Sequence, residues 1–451
     1  MLNLALLVAA TALLYYYRSE SAIYAAIGFS IYGYVVTDKL IPRVGPSFIK
    51  IGLFGKDLSK PNKPILPETI GAVAAMVYIM IMFFCIPFIF FKYMVIETQG
   101  GGQREFTIEL SNNDTHLKQF FPHNKLSEYL SSILCLESTI IIGIFDDLFD
   151  LRWRHKFPLP AIAAIPLLLV YYVDFGVTYV VVPTLVQDWL FQGKKLIDLG
   201  AIYYVYMASM AIFCPNSINI LAGVNGLEVG QSIVLAILAL INDILYLTMG
   251  ISTAKDSHRF SAILIIPFLG VSLALFKWNK WPAKVFVGDT YCYFAGMVFA
   301  VVGILGHFSK TMLLLFIPQI LNFLYSCPQL FKIVPCPRHR LPKFNANDGL
   351  LYTSRANLKD EPPKTWFVPI LRILNKLRLI DVEYDPKDGS IISCSNMTLI
   401  NLTLVWFGPM REDQLCNTIL ILQFSIGILA LLARHAIGSI IFGHDNLWTI
   451  R

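Results

Sequence analysis

Ten apolar runs, each close to the length of a membrane-spanning helix, divide the chain: 20–37, 68–91, 129–145, 158–173, 200–215, 229–250, 260–276, 290–306, 311–328 and 416–438. A bilayer core takes about 20 apolar residues per helix, with a range of about 17–25. The shorter runs are therefore expected to tilt or to end in the interface. Within lipid every backbone donor and acceptor must be met inside the segment. The runs thus predict an all-α polytopic membrane protein with about ten transmembrane helices. Of 451 residues, 56% are apolar and only 15% charged, against about 25% charged in a soluble domain. That balance excludes a disordered chain, a nucleic-acid-binding module and an ordinary cytosolic enzyme. The net charge of +6 is small for this length and implies no nucleic-acid partner.

The loops between runs alternate between two sides. One side, formed by 38–67, 146–157, 216–228, 277–289 and 329–415, carries 24 Lys and Arg; the other carries 10. The positive-inside rule places the first set in the cytosol, and both termini then fall on the opposite side. This organisation predicts three parts. Residues 1–328 form a transmembrane bundle with cytosolic active-site loops. Residues 329–415 form a small mixed α/β cytosolic insertion, with a Pro-rich start, an amphipathic stretch at 366–381 and a β-branched stretch near 390–405; 399–407 is alternatively a segment grazing the membrane. Residues 416–451 supply the last transmembrane helix and the C-terminus. Residues 2–17 are apolar but short, and no A-x-A site follows them, so no cleavable leader is expected. They either extend or precede the first run.

The eight cysteines form no C-x-x-C pair, and Cys85, Cys135, Cys292 and Cys327 lie in or beside apolar runs. Reduced, packed thiols are expected. Asn113, Asn396 and Asn401 begin N-x-[ST] sequons. Asn113 alone falls on the non-cytosolic side and is the glycosylation candidate; the other two are expected to stay unmodified. His116, His123, His258, His307, His435 and His444 are isolated and receive no role.

Polar residues gather at the cytosolic ends of the runs, where charge beside a membrane is expensive and points to function. The first cluster, residues 145–156, reads F-D-D-L-F-D-L-R-W-R-H-K. Adjacent carboxylates suit a divalent cation or a shared proton; a basic topogenic loop with capping aspartates is the alternative. The second, residues 214–228, reads C-P-N-S-I-N-I-L-A-G-V-N-G-L-E. Asn amides can ligate a hard cation or read a base edge, and the glycines allow close backbone approach; a simple turn is the alternative. The third, V-F-V-G-D-T at 285–290, is either a ligand-facing aspartate or an N-cap. The fourth, P-C-P-R-H-R-L-P at 335–342, would clamp phosphate or sugar hydroxyls, or would meet anionic lipid. Lys50, Lys56, Lys60 and Lys63 precede Glu68 in the first loop and serve mainly as a topology signal. Carboxylates, amides and cations together at one membrane face suit phosphoryl transfer, which needs charge neutralisation more than covalent chemistry from the protein.

In combination these four motifs resemble the polyprenyl-phosphate N-acetylhexosamine-1-phosphate transferase family. The likeness is to its fungal, dolichyl-phosphate-using, tunicamycin-sensitive branch and runs from about residue 35 to the C-terminus. The resemblance implies ten helices in the endoplasmic reticulum membrane, a cytosolic active site, luminal termini and a homodimer. It implies transfer of GlcNAc-1-phosphate from UDP-GlcNAc to dolichyl phosphate, giving GlcNAc-pyrophosphoryl-dolichol and UMP, the first step of N-glycan precursor assembly. Carried onto matching positions, it assigns Mg²⁺ to Asn219 and Asp289 with the donor diphosphate. It sets Asp146 and Asp147 beside the reacting phosphates and makes Lys156 a phosphate contact. The uracil falls between Gly223 and Phe286, its edge read by Asn225 and the backbone of Leu58. Trp153, Arg338, His339 and Arg340 hold the sugar and pyrophosphate, and Glu68 and Asn216 support. Asp150 is a position where the resemblance offers either Asn or Asp, and residues 1–19 match no family motif.

Two rivals use the same residues differently. A nucleotide-sugar transporter would need a central pathway and internal repeats, but no 20–50-residue repeat is visible and every polar cluster lies at one face. An inactive membrane subunit would not need Asp146, Asp147, Asn219 and Asp289 intact.

Overall fold

The computed structural model describes residues 2–17, 21–91, 122–190, 192–337, 340–359, 361–386 and 389–442. Asn113, Arg338 and His339 lie outside these residues, as does the side chain of Trp153. In chain order the helices are α1 (Leu2–Tyr16), α2 (Ala22–Lys50), α3 (Gly71–Ile89), α4 (His123–Phe149), α5 (Trp153–Lys156), α6 (Leu159–Ala163), α7 (Ile165–Asp174), α8 (Thr184–Leu190), α9 (Ala201–Ile220), α10 (Leu227–Met249), α11 (Ser252–Asn279), α12 (Asp289–Leu305), α13 (Ser309–Leu315), α14 (Ile317–Leu330), α15 (Val368–Lys376), α16 (Leu399–Phe407) and α17 (Glu412–Phe442).

Among the described residues, six segments are long and apolar enough to cross a membrane: Gly71–Ile89, Arg154–Asp174, Ala201–Ile220, Leu227–Met249, Ser252–Asn279 and Glu412–Gly438. A seventh is added if α13 and α14, bent by 66°, count as one span. The runs at 20–37, 129–145 and 290–306 coincide with α2, α4 and α12, which fall outside this set. Helix α2 carries Asp38, Lys39 and Arg43 along its length. Helix α12 has 17 residues, about 26 Å at 1.5 Å per residue. It runs through the middle of the bundle, with every residue from Thr290 to Leu305 buried. A helix enclosed by protein on all sides has no lipid thickness of its own to match.

Helix α12 packs on α4 and α9, and also on α3, α10, α11 and α13. Small residues bring the backbones close, as in other membrane bundles. A Cβ on Gly143 would lie 2.6 Å from Thr290 Cα, and one on Gly296 would lie 2.3 Å from Pro215. The N-terminal stretch precedes the first run as a separate helix. Leu14 of α1 packs onto Gly28, and Thr11 Oγ1 meets the Tyr32 hydroxyl at 2.7 Å. Ser21 then caps α2, accepting from Ile23 N.

Four small antiparallel sheets decorate the bundle. The hairpin β1 (Phe54–Lys56) and β2 (Ile65–Pro67) follows α2, and β3 (Tyr179–Val181) pairs with β4 (Leu196–Asp198). Beyond α14, β5 (Lys343–Asn345) and β6 (Leu350–Tyr352) form a hairpin. The strands β7 (Arg355–Asn357), β8 (Val382–Tyr384) and β9 (Ile391–Ser395) form a sheet in the order β7–β9–β8. The amphipathic stretch at 366–381 contains α15, whose Leu371 is buried with Phe367, Val382 and Cys394. The β-branched stretch splits into β9 and α16. Thr398 makes the break: its hydroxyl accepts from Asn401 N at 3.2 Å and caps α16. Leu399, Ile400, Leu402 and Leu404 of α16 are buried against protein.

All eight cysteines are free, six of them buried, and only Cys336 is exposed. Several of the histidines read as isolated have partners: His307 packs on Phe175 and Tyr171, and His435 approaches Asn242 and Tyr246. His258 is not isolated: Nδ1 lies 2.7 Å from Asp243 Oδ1, and the ring is stacked between Tyr246 and Phe308. Asp243 also accepts from Ser261 Oγ at 2.6 Å. Asp243 sits in α10 and His258 in α11, so this pair ties two neighbouring helices inside the bundle.

Candidate active site

The polar ends of α4, α9, α11 and α12 converge with the start of α10 and the β1–β2 hairpin around one cleft. It has a volume of about 430 Å³ and is lined by Leu58, Glu68, Gly223, Asn225, Phe286 and Asp289, among others. Backbone zipping builds one wall. Phe286 N donates to Pro67 O at 2.8 Å, Ile70 N to Phe286 O at 3.1 Å, and Gly71 N to Val287 O at 2.8 Å. The segment before α12 is thereby fixed against the end of the hairpin. Asn279, at the end of α11, supports it from below by donating to Val285 O at 3.0 Å.

At the floor, Lys156 joins two aspartates from separate helices. Its Nζ lies 2.8 Å from Asp146 Oδ2 and 3.0 Å from Asp289 Oδ2. The Asp146 side chain is 1% exposed, whereas that of Asp289 is 36% exposed and opens to the cleft. Asn219, near the end of α9, lies close enough to Asp289 for its amide to favour the charged carboxylate. Asp147 is directed elsewhere. Its carboxylate accepts from Asp289 N at 2.7 Å, Thr290 N at 3.1 Å and Thr290 Oγ1 at 2.5 Å. It therefore caps α12 from a neighbouring helix, satisfying amides that would otherwise be orphaned and placing a negative charge at the positive end of the dipole. Gly288, the N-cap, has φ 79° and ψ 167°, a region open essentially to glycine alone.

Asp150 ends α4 in the left-handed conformation, with φ 47° and ψ 65°, and donates its N–H to Asp146 O. Asn and Asp tolerate that conformation better than other side-chain-bearing residues. The Asn-or-Asp choice at this position thus follows from helix termination, and no charge is required.

The other wall is the turn between α9 and α10. Gly223 N donates to Glu228 Oε1 at 2.8 Å, and Gly223 has φ +102°. Asn225 is held by three bonds: its N–H donates to Glu412 Oε1 at 2.9 Å, and its Nδ2 to Asp57 Oδ2 at 3.0 Å and Glu412 Oε2 at 3.1 Å. Both amide hydrogens are thus directed at carboxylates. Phe286 packs its ring edge on Gly55, and Leu341 lies over Gly223. Glu68 opens to the cleft mouth beside Gly55. Partial burial, then the negative Asp147 and Asp289, push its carboxyl above the ordinary range.

Of the residues singled out from sequence, Leu58, Glu68, Gly223, Asn225, Phe286 and Asp289 line the cleft, and Asp146, Lys156 and Asn219 reach Asp289 at its floor. Asp147 stands behind them as a cap. Asn216 turns back on its own helix, donating to Ile212 O at 2.8 Å. Arg340 is not among the residues lining the cleft, although its neighbour Leu341 is. Sequence reasoning missed Asp57, Glu228, Leu341 and Glu412. Glu228 had a signal, closing the N-G-L-E motif. Glu412 had none, because it meets Asn225 across 187 residues.

Among the described residues no group of three or more His, Cys, Asp and Glu forms a cation cage. That is compatible with Mg²⁺, which keeps several waters and is usually bound by one or two carboxylates plus substrate phosphates. Asp289, open to the cleft with an amide beside it, offers such a donor set.

Residues 129–307 match the glycosyl transferase family 4 model, a span that includes Asp146, Asp147, Lys156, Asn219, Asn225 and Asp289. Among curated proteins, the chain is 73% identical to the UDP-N-acetylglucosamine–dolichyl-phosphate N-acetylglucosaminephosphotransferase of Saccharomyces cerevisiae, over 100% of both chains. It is 52% identical to the Schizosaccharomyces pombe enzyme of the same name, over 95% of this chain and 96% of that one. The Dictyostelium discoideum enzyme is 39% identical, over 88% and 85%. The site and this match define a membrane-bound glycosyl transferase. Within that class, the chain belongs to the UDP-N-acetylglucosamine–dolichyl-phosphate N-acetylglucosaminephosphotransferase family.

Proposed function

We propose that this protein transfers GlcNAc-1-phosphate from UDP-GlcNAc to dolichyl phosphate, releasing UMP and forming GlcNAc-pyrophosphoryl-dolichol. The observation that carries this is the 73% identity over the whole of both chains. The convergence of the sequence motifs on one cleft supports it. In this reading the uracil lies between Gly223 and Phe286, with Asn225 and the Leu58 backbone at its edge. The sugar and diphosphate extend toward Arg338, His339, Arg340 and Trp153. Asp289 and Asn219 hold Mg²⁺ with the donor diphosphate; the ion supplies charge neutralisation at the phosphoryl oxygens.

The acceptor phosphate attacks the donor β-phosphorus, and the bond from that phosphorus to the bridging oxygen breaks, so UMP leaves with the oxygen. Lys156 neutralises charge on the phosphates while keeping Asp146 and Asp289 in fixed orientation. Asp146 orients the acceptor. A phosphate monoester has a second pKa of about 6, so the acceptor is largely ionised at neutral pH and needs little base assistance. The engagement of both Asp147 oxygens with α12 donors supports direct attack over a phospho-aspartate intermediate at that residue.

The site faces the cytosol from the endoplasmic reticulum membrane, with α2, α4 and α12 completing ten spans, the termini luminal and two copies forming a homodimer. The loop charge asymmetry supports this orientation. The test is a transfer assay on the purified full-length protein in detergent, with UDP-GlcNAc, dolichyl phosphate and Mg²⁺. Stoichiometric UMP and lipid product, lost with EDTA or tunicamycin, are expected. Release of UDP, or donor binding without turnover, would overturn the assignment.

A further inference from the structure

Two residues that the sequence marks only as sequons sit in a buried polar network behind the rim of the cleft. Gln329, Ser354, Asn396 and Asn401 are 0%, 2%, 0% and 0% exposed, and their hydrogen bonds run as one chain. Gln329 Nε2 donates to Asn396 Oδ1 at 2.8 Å, and Asn396 Nδ2 to Ser354 Oγ at 2.8 Å. Asn401 Oδ1 accepts from Ser354 N at 2.9 Å. The network grips both ends of the rim segment. Gln329 Nε2 donates to Pro335 O at 3.2 Å. At the far end, Arg340 O accepts from Ser354 Oγ at 2.8 Å and from Asn401 Nδ2 at 2.9 Å.

The doubly held Arg340 carbonyl belongs to the peptide that leads into Leu341. Leu341 projects into the cleft so far that a Cβ on Gly223 would lie 2.2 Å from its Cδ2. Arg340 Nη1 is itself buried with no hydrogen-bond partner. An unmade bond on a buried guanidinium is costly, and an anionic oxygen would correct it. The Asn401 amide joins the two parts because it accepts from Ser354 N with one atom and donates to Arg340 O with the other.

We propose that Asn401, acting with Ser354, is a positioning residue for donor binding: its amide fixes the Arg340–Leu341 peptide, and with it the reach of Leu341 into the nucleotide-sugar cleft. The proposal rests on the reading of that cleft as the UDP-GlcNAc site. Asn401→Asp keeps the size and the acceptor and, in its ionised form at alkaline pH, loses the donor to Arg340 O. Ser354→Ala removes the second bond to that carbonyl without adding a buried charge, and serves if Asn401→Asp does not fold.

The experiment measures steady-state kinetics of the full-length protein in detergent, varying UDP-GlcNAc and dolichyl phosphate separately, with Arg340→Ala alongside. Each bond lost is expected to raise the KM for UDP-GlcNAc by up to about tenfold, leaving the KM for dolichyl phosphate within about twofold. Equal change in both KM values, or a lower thermal transition with both unchanged, would make the network merely structural and overturn the proposal. If Arg340→Ala leaves the donor KM unchanged, the donor reading itself fails and the proposal with it. If Arg340→Ala raises it while Asn401→Asp and Ser354→Ala do not, only the positioning role fails.

Discussion

Replacing Gly288 by alanine should disable the site by displacing the Asp147 cap that holds Asp289. Two costs add. The backbone at φ 79° and ψ 167° is strained for any L side chain, by about 1–3 kcal/mol. The new Cβ would also lie 2.7 Å from Thr69 Cα and 2.7 Å from Asp147 Oδ2. Thr69 Cα is backbone and cannot swing away, so Asp147 must yield. Its bonds to Asp289 N and to Thr290 N and Oγ1 are charge-assisted and worth about 1.5–3 kcal/mol each. Strain plus one lost bond gives about 2.5–6 kcal/mol. Even the lower figure, expressed at Asp289, is about two powers of ten in rate. Initial rates of UMP release from purified Gly288→Ala should therefore fall at least about 100-fold, with a lowered thermal transition. A kcat/KM within about threefold of the native value would refute the reasoning, because it would mean that the Asp147 cap does not hold Asp289 in working position.

Three further outcomes follow from the same geometry. Lys156→Met leaves the buried Asp146 and the cleft-facing Asp289 without their shared cation; kcat should fall by about 10²-fold or more, as for loss of a preorganised charge-stabilising group, measured by UMP release at saturating donor. Glu68 has a carboxyl raised above its ordinary 4.5 by burial, then by Asp147 and Asp289, so its charged form is disfavoured in the folded protein and stability falls as pH rises from 4.5 through the raised value. Glu68→Gln should therefore raise the thermal transition at pH 7, and the gain should vanish below about pH 4.5 in a melting series; a gain at all pH values would contradict this sign. Cys336 is the exposed thiol, so a maleimide should label it first and buried Cys214 and Cys292 last, as read by peptide mass spectrometry of the intact membrane-protein digest.

The sequence revealed much of this architecture because two strong signals dominate it. Long apolar runs can only be helices in lipid, and each of the ten coincides with one helix or a broken pair. Charged residues cannot be scattered through such a chain, so the motifs carrying them stood out; residues of the second and third line the cleft, and Lys156 of the first reaches Asp289. The signal failed where contacts are long in sequence or ordinary in composition. Asp57 and Glu412 bracket Asn225 from 168 and 187 residues away. Asp243 and His258 pair across a helix turn with no spacing motif. Asp147 read as a partner of Asp146 because the two are adjacent, yet successive helical residues face different directions, so one meets Lys156 and the other caps α12. Asn396 and Asn401 matched a modification pattern that says nothing about burial. Helix α1 was ambiguous because a largely apolar stretch of 15 residues can extend a span or fold back, and its packing on α2, through Leu14 on Gly28 and Thr11 on Tyr32, decides.

The central claim is that the cleft between Gly223 and Phe286, floored by Asp289 and Lys156, is where the donor binds and reacts. A structure of the protein with UDP-GlcNAc and Mg²⁺ tests this most directly. The account predicts the uracil ring between Gly223 and Phe286, Leu341 shifted off Gly223, and the diphosphate against Lys156 and Asp289. A nucleotide found elsewhere, or a base in this cleft with its diphosphate directed away from Asp289, would contradict it.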